Sequence, residues 1–261
     1  MARHGVDSSD GRGEDAAHPP VAADRHGPSG VGGRVTGRQA PTVLPPSLRT
    51  PLLLIAALAA LMVVALGIRY AGHTLPDRVD EWIRSAVDGV QPPWRQIVLS
   101  TDFLGEPIGA AALVVAAVAG CLLLGRPRAA VLVVLGPGLA VAATRLLKPL
   151  VGRTIHDVHL SYPSGHTAFL TAFALALVLL AVGRPGLGTA TGTLLVLAAA
   201  VVAGAVMGWA QVALAAHYPT DVLGGWGTAL AVTPASAWLI DGTAHRHAAR
   251  TADAGRPAQP R

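Results

Sequence analysis

Charged and aromatic side chains are scarce in this chain. Of its 261 residues, 13% are charged and 4% are aromatic, whereas 52% are hydrophobic. A soluble globular domain averages about 25% charged residues. The shortage is concentrated in long uncharged runs, which excludes an ordinary soluble domain and is typical of helices that cross a bilayer.

Lysine and cysteine occur once each, as Lys148 and Cys121. A single cysteine excludes an internal disulfide, and its place in an apolar run indicates a buried small side chain. The net charge of +5 therefore rests on arginines. They flank apolar runs or lie in the terminal segments, without a basic stripe interleaved with aromatics. Membrane-flanking charge is therefore favoured over nucleic-acid binding.

Six uncharged runs come close to the roughly 20 residues that a helix needs to cross the hydrocarbon core. We therefore predict an all-α protein, a bundle of six transmembrane helices in one domain at 49–241. Residues 1–48 are polar and lack apolar periodicity, which predicts a disordered tail, and 242–261 form a second polar tail. The predicted spans lie near residues 50–69, 106–125, 129–147, 166–183, 190–213 and 221–240.

Six spans place both terminal segments of this multi-pass protein on one side of the cell membrane. The short turns on that side carry Arg126, Arg128 and Arg184. The positive-inside rule therefore predicts that the termini are cytoplasmic. The connections after the first, third and fifth spans then face outward.

The longest outer connection, 70–105, contains apolar residues at helical spacing opposite acidic residues. This pattern predicts an amphipathic helix at 76–90 that lies in the membrane interface, with Trp82 and Trp94 as anchors. A helix packed against the bundle is an equally consistent alternative.

Three polar clusters interrupt the apolar sequence, and the order of the spans places all three on the outer side. Lys148-Pro-Leu-Val-Gly-Arg153 follows the third span, Pro163-Ser-Gly-His166 opens the fourth, and His217-Tyr-Pro-Thr-Asp221 joins the fifth and sixth. Polar clusters at one membrane level indicate a single site. The first cluster supplies two cations, Lys148 and Arg153, that suit phosphate oxygens.

The second cluster lies at the start of a helix. Free backbone N–H groups and the positive end of the helix dipole favour an anion there. Ser164 adds a hydroxyl donor, and Gly165 allows a ligand to approach the backbone closely. The alternative is an ordinary serine N-cap beside an unrelated histidine, His166.

In the third cluster, Asp221 falls in the first turn of the sixth span, four residues after His217. A carboxylate there can hold one imidazole nitrogen and leave the other free as a nucleophile or base. A metal site is disfavoured because only these two good ligands are evident. We interpret His156, Asp157 and His159 as loop-lining residues rather than further ligands.

Together the clusters resemble the type 2 phosphatidic acid phosphatase (PAP2) family of lipid phosphatases, which is related to the vanadium haloperoxidases. The family pattern is a Lys followed by six residues and Arg-Pro, then Pro-Ser-Gly-His, then Ser-Arg, five residues, His, three residues and Asp. Here the Pro-Ser-Gly-His motif is complete at 163–166, and His217 and Asp221 have the family spacing. The resemblance covers about residues 50–240.

The resemblance implies that His217 attacks phosphorus to form a phosphohistidine, that Asp221 orients His217, and that His166 protonates the leaving alkoxide. It also implies that neither a metal nor a cofactor is needed. The implied partners are membrane lipids and a lipid phosphate substrate. The equatorial phosphate oxygens would be held by Lys148, Ser164 and the backbone N–H of Gly165.

Two arginines of the family pattern are missing. Ile155 and His156 stand where the family has Arg-Pro, and Ala210 and Gln211 stand where it has Ser-Arg. We expect Gln211 to face the phosphate pocket, where it would donate a neutral hydrogen bond in place of a bidentate cation.

The lost positive charge has two candidate replacements, Arg153 and Arg145. The sequence therefore predicts a membrane phosphatase that acts on a phosphate monoester or diphosphate of a lipid or polyprenol. The alternative is a catalytically impaired membrane protein that binds or flips a lipid phosphate.

Overall fold

The computed structural model describes residues 41–87, 89–156, 158–183 and 187–254, and the side chains as far as residue 251. Most of the predicted polar tails, residues 1–40 and 255–261, therefore lies outside the described residues. So do Asp157 and Arg184.

Over the described residues the chain is helical apart from one two-stranded antiparallel hairpin. A 3-10 turn at Pro46–Leu48 leads directly into the first helix. The elements are α1 (Arg49–Arg69), α2 (Arg78–Val87), α3 (Trp94–Phe103), α4 (Pro107–Leu123), α5 (Pro127–Val151), β1 (Thr154–Ile155), β2 (His159–Leu160), α6 (Gly165–Val182), α7 (Thr189–Ala213) and α8 (Pro219–Ala254).

Within the described part of the chain, four helical segments are long and apolar enough to cross a membrane. They are Pro46–Arg69, α5, α6 and α7. A fifth span results if α3 and α4, which meet at a bend of 67°, are counted as one broken crossing. The six predicted spans are therefore not confirmed, whereas the all-α membrane bundle is. The predicted sixth span lies within α8, which continues as a helix through charged residues to Ala254.

The packed core is built around α6, which contacts α5, α7 and α8. Its buried residues recur at helical spacing, because one broad face of the helix is turned inward. The partner helix α8 also packs along α1. Small side chains allow these backbones to approach closely, as expected where lipid replaces water around the bundle. The buried core residues of α6 include Ala168, Ala172, Leu175, Ala176 and Leu179.

The described end of the predicted amino-terminal tail, residues 41–48, is packed against the bundle. Val43 and Leu44 are buried. Their backbone N–H groups donate to the carboxylate of Asp241 at 2.9 to 3.1 Å. The folded part therefore begins before the predicted boundary at residue 49, because a carboxylate some 200 positions away in sequence satisfies this backbone.

The connection 70–105 contains two helices rather than the single predicted one. The helix α2 falls inside the predicted range 76–90, but its buried side chain is an acid, Asp80, whereas Trp82 is 75% exposed. Its location in a membrane interface stays a prediction. The second helix, α3, was not predicted, because the pattern of acidic and apolar residues at helical spacing in 70–105 lies before Pro92.

One end of the bundle brings the three polar clusters together. Gly152 ends α5 with a positive φ of 65°, a conformation that glycine adopts without strain. The β1–β2 hairpin then returns the chain, with the Ser161 N–H donating to the Arg153 carbonyl at 2.8 Å. The Ser164 N–H donates to the backbone carbonyl of Asp221 at 2.9 Å, which joins the second cluster to the third.

Candidate active site

A cavity of about 670 Å³ opens between α4, α5 and α6. The part of α5 that lines it runs from Val134 to Lys148, which spans about 21 Å at 1.5 Å per residue. Its polar end carries Glu106, Thr144, Arg145, Lys148, His166 and His217. Its apolar part is lined by residues that include Ala110, Ala111, Val114, Val134, Val141 and Phe169.

His217 lies in the connection between α7 and α8 and is 8% exposed. Its Nδ1 faces Oδ2 of Asp221 at 3.8 Å, a separation longer than a hydrogen bond. Because His217 also lines the cavity, Nε2 is the ring nitrogen left for a ligand. Burial lowers the pKa of His217, and the Asp221 carboxylate opposes that effect by raising it. The imidazole is therefore neutral at pH 7 and keeps a free lone pair.

His166 lies in the first turn of α6 and also lines the cavity. Its Nε2 is 3.6 Å from Oδ1 of Asp102 and 3.6 Å from Oε1 of Glu106. Gly105 lies directly against the ring, because a Cβ at this position would overlap Cδ2 of His166. The turn between α3 and α4 therefore holds one edge of the His166 imidazole.

Two cations reach the polar end of the cavity, Arg145 and Lys148. They are three residues apart on α5 and therefore lie on the same face of the helix. The Lys148 ammonium donates to the carbonyl of Leu160 at 2.7 Å, which ties it to the hairpin. The Gly165 backbone borders the same space. Of the predicted phosphate-binding residues, Lys148 and Gly165 thus lie on the cavity wall.

Ser164 is fully buried and is the N-cap of α6. Its Oγ accepts a long hydrogen bond of 3.4 Å from the Thr167 N–H and lies 3.1 Å from the Thr167 hydroxyl. It is not among the residues that line the cavity. Ser164 therefore matches the alternative prediction of an ordinary serine N-cap. His166, two residues later, faces the cavity.

Arg153 differs most from its expected place at the phosphate. Its side chain is fully buried and is absent from the cavity wall. One guanidinium nitrogen donates to Oδ1 of Asp221 at 2.7 Å, and the other donates to Oδ2 of Asp80 at 2.6 Å. A buried guanidinium requires anionic partners, and two carboxylates of the protein supply them. Arg153 is therefore not available to replace a lost phosphate ligand.

Aromatic and hydroxyl groups complete the surroundings of Arg153. The rings of Tyr70 and Tyr218 lie on its guanidinium, with centroids 4.2 Å and 4.5 Å away. The Thr220 hydroxyl lies 2.6 Å from its Nη1. Flat cations bind favourably to aromatic faces, so the whole guanidinium is enclosed by protein.

Gln211 also differs from its expected place. It is 1% exposed and is absent from the cavity wall. Its amide donates to Oδ1 of Asp102 at 2.6 Å. The Gln211 side chain thus binds a carboxylate that faces His166. It does not reach the cavity, where a phosphate would lie.

The donor atoms of Asp102, Glu106 and His166 lie within 4.8 Å of one another, which is close enough to hold a cation. This set does not include His217 or Asp221, the pair weighed as metal ligands from the sequence. His156 makes a different contact, with its Nε2 2.9 Å from the carbonyl of Ala215. His159 is exposed on β2.

Sequence reasoning missed three carboxylates at this end of the bundle. Asp80 was among the acidic residues on the polar side of the predicted surface helix, Glu106 was the boundary of an apolar run, and Asp102 had no predicted role. The one available signal was the spacing of Asp102 and Glu106, which lie four residues apart at the start of a predicted span. Their proximity to His166 arises from helix packing between segments about 60 residues apart in sequence.

These features define an α-helical integral membrane protein with a cavity that is polar at one end, where two histidines meet basic and acidic groups. The family model of the PAP2 superfamily matches residues 48–243, and the chain belongs to this family. Comparison with curated proteins gives no match.

A solved structure has the same fold. It is described as the first transmembrane PAP2 type phosphatidylglycerolphosphate phosphatase from Bacillus subtilis. The TM-score is 0.56 at 23% sequence identity, and the match covers 73% of this chain and 96% of that chain. The two proteins share the helical fold over nearly the whole length of the solved structure.

Proposed function

We propose that this protein is a membrane phosphatase that hydrolyses a phosphate monoester or diphosphate of a lipid or polyprenol through a phosphohistidine. Its membership of the PAP2 superfamily supports a phosphatase of this kind. The observation that carries the proposal is the cavity, which has His166, His217 and two cations at one end and apolar residues along α4 and α5. An amphiphile with a phosphate head and a hydrocarbon tail matches this division.

In the first step, the Nε2 lone pair of His217 attacks phosphorus and the bond from phosphorus to the ester oxygen breaks. His166 gives its proton to the departing alkoxide, which leaves as an alcohol. The positive charge that develops on His217 is offset by Asp221, which faces Nδ1. Lys148 and Arg145 neutralise the phosphoryl oxygens.

In the second step, water attacks the phosphohistidine and the P–N bond breaks. His166, now neutral, takes a proton from that water, and inorganic phosphate leaves. The sum of the two steps converts a monoester and one water into an alcohol and phosphate; with a diphosphate the group that leaves with the proton of His166 is the lipid monophosphate. Each proton that His166 gives is recovered, so neither a metal nor a cofactor is needed for the balance.

The proposed site faces the outer side of the membrane, with the termini cytoplasmic. The arginines at the opposite end of the bundle support this orientation, since Arg126 and Arg128 begin α5 there. A substrate in the outer leaflet would then place its tail along the apolar part of the cavity and its phosphate at the polar end.

The test is phosphate release by purified protein in detergent, with EDTA present. The substrates are phosphatidic acid, phosphatidylglycerol phosphate and a polyprenyl diphosphate. We expect release from at least one lipid, and no release from the His217→Ala variant. A matched control is His159→Ala, which changes an exposed histidine on β2. Equal activity of wild type and His217→Ala would remove His217 from the mechanism.

A second candidate is a protein that binds or flips a lipid phosphate without cleaving it. The observation in its favour is the reduced number of cations available to bind the phosphate. Arg153 pairs with Asp80 and Asp221, and the neutral Gln211 pairs with Asp102. Charge-assisted contacts to phosphate contribute roughly 1.5–3 kcal/mol each, so their loss weakens transition-state binding.

Trapping a phosphoenzyme separates the two candidates. Phosphohistidine is stable to base and labile to acid, so a labelled substrate quenched in base should leave label on the wild-type protein. We expect that label to be absent from His217→Ala. Binding of the lipid phosphate without any trapped label and without release of phosphate would support the non-catalytic candidate.

A further inference from the structure

We propose that Asp80, on the outer helix α2, is a positioning residue for the reaction centre and acts on His217 through Arg153 and Asp221. The inference rests on the proposed function for its kinetic part. Asp80 lies outside the three polar clusters, more than 60 residues before the first of them.

The connection from Asp80 to Asp221 is short and fully buried. Asp80 Oδ2 accepts from Arg153 at 2.6 Å, and Arg153 donates to Asp221 Oδ1 at 2.7 Å. The three side chains have no solvent exposure. Arg153 occupies Asp221 Oδ1, whereas the other oxygen, Oδ2, accepts from the Tyr218 backbone N–H at 3.0 Å and faces His217. Arg153 and the Tyr218 N–H together fix which oxygen of Asp221 His217 faces.

A second connection runs through Thr220, the residue next to Asp221. The Thr220 backbone N–H donates to Asp80 Oδ1 at 3.0 Å, and its hydroxyl lies 2.9 Å from the same oxygen. Asp80 therefore holds the first turn of α8 in addition to holding Arg153. Asp80 thus contacts this turn both directly, through Thr220, and through Arg153.

The charges of this group act on His217. Asp80, Arg153 and Asp221 sum to one net negative charge, since two carboxylates share one guanidinium. The other groups that face His217 are Lys148 on α5 and His166 on α6, which both oppose its protonation. A net negative group behind His217 favours its cationic form, and therefore also the phosphohistidine that carries positive charge on the ring.

Replacing Asp80 by Asn removes one negative charge and leaves Arg153 paired with Asp221, so the remaining buried charges sum to zero. Arg153, released from Asp80, can then turn toward Asp221 in a forked pair, which competes with the Tyr218 N–H for Oδ2 and shifts the carboxylate relative to His217. We expect kcat to fall about tenfold. We also expect the acid limb of kcat/KM to move to lower pH by roughly half a unit or more, because His217 loses a stabilising negative charge.

The experiment compares pH profiles of kcat/KM for wild type, Asp80→Asn and Asp80→Glu. Glu81→Gln is the matched control, because Glu81 is an exposed acid on the same helix. Glu81→Gln should match wild type. Asp80→Glu keeps the charge, so its acid limb should stay in place while its kcat falls. An Asp80→Asn profile that coincides with that of Glu81→Gln would overturn the proposal.

A purely structural role for Asp80 predicts a different result, namely a lower unfolding temperature without any movement of the acid limb. That outcome would also overturn the proposal. If Asp80→Asn does not fold, Asp80→Glu decides alone, since a kcat equal to that of wild type would contradict positioning through this carboxylate.

Titration of His217 by NMR of histidine-labelled protein separates this inference from the proposed function. His217→Gln identifies the resonance. If wild type cleaves no lipid phosphate, the proposed function fails, but the His217 titration is still expected to move to lower pH in Asp80→Asn. An unchanged titration in an active enzyme would overturn the role of Asp80 and leave the proposed function standing.

Discussion

The guanidinium of Arg153 donates to Oδ1 of Asp221 at 2.7 Å, and both side chains are fully buried. The same guanidinium donates to Asp80 at 2.6 Å. One cation thus balances two carboxylates in the interior. Removing one partner of a buried ion pair destabilises the protein, because it leaves an uncompensated charge. Removing the surplus carboxylate leaves no uncompensated charge.

The first prediction follows from this asymmetry. Arg153→Met leaves two buried carboxylates unpaired and is expected to cost about 3–5 kcal/mol of stability. Asp80→Asn leaves one balanced pair and should cost less. The measurement is thermal and denaturant unfolding in detergent, followed by tryptophan fluorescence. A control is Arg84→Met, because Arg84 contacts the Tyr218 ring from a partly exposed position. Equal losses for Arg153→Met and Asp80→Asn would contradict the prediction.

The second prediction concerns pH and His217. Burial lowers the pKa of His217 in the folded protein below its value of about 6.5 in the unfolded chain. The unfolded state therefore takes up a proton first as the pH falls. The stability contributed by neutral His217 is complete above pH 6.5 and is lost as the pH falls from there toward the folded pKa.

Unfolding temperatures measured between pH 8 and pH 5 test this sign. His217→Gln cannot titrate, so its unfolding temperature should fall less than that of wild type over the acid part of the range. A steeper acid fall in the variant than in wild type would show that His217 is stabilised in its charged form.

The third prediction concerns the cations of the cavity. Because Arg153 is occupied by carboxylates, Arg145 is expected to act with Lys148 on the substrate phosphate. Arg145→Met should lower kcat/KM about tenfold or more, as one charge-assisted contact is lost. Arg95→Met, which changes an exposed arginine on α3, should leave kcat/KM unchanged. Normal kinetics of Arg145→Met would show that Lys148 suffices.

The fourth prediction concerns the apolar part of the cavity. Ala110→Phe places a bulky ring in the space between α4 and α5, so the KM for a long-chain lipid phosphate should rise. The KM for a short-chain ester should change little, because its tail ends before the obstruction. Ala116→Phe is the control, since Ala116 lies on the same helix, is exposed and is absent from the cavity wall. Equal effects on long and short chains would argue against a tail in this space.

Several site residues could be anticipated from local sequence because their positions follow from where helices begin and end. The motif at 163–166 precedes α6, and 217–221 precedes and opens α8. Chain order alone then brings them to one end of a bundle. His166, His217 and Lys148 do line one cavity, and Asp221 does face His217.

The predicted position of Arg153 at the substrate phosphate was wrong, because the local sequence does not show which anions pair with it. Spacing from Lys148 indicated a phosphate ligand, but a buried guanidinium pairs with whichever anions the packing brings near. Asp80 comes from a helix 73 residues earlier and Asp221 from one 68 residues later. Gln211 was misplaced for the same reason, since Asp102 lies 109 residues away.

By itself, the sequence determined the class of protein, the apolar helices and the order in which polar motifs interrupt them. Those properties follow from hydrophobic periodicity and helix-end chemistry, which act over a few neighbouring residues. Only the tertiary structure decided where each helix begins and ends and which carboxylates surround His166. It also decided that Arg153 supports Asp221 and does not reach the cavity. Such pairings depend on helix packing, because packing brings together charges that are far apart in the chain. Buried charged groups then pair with each other rather than with a ligand.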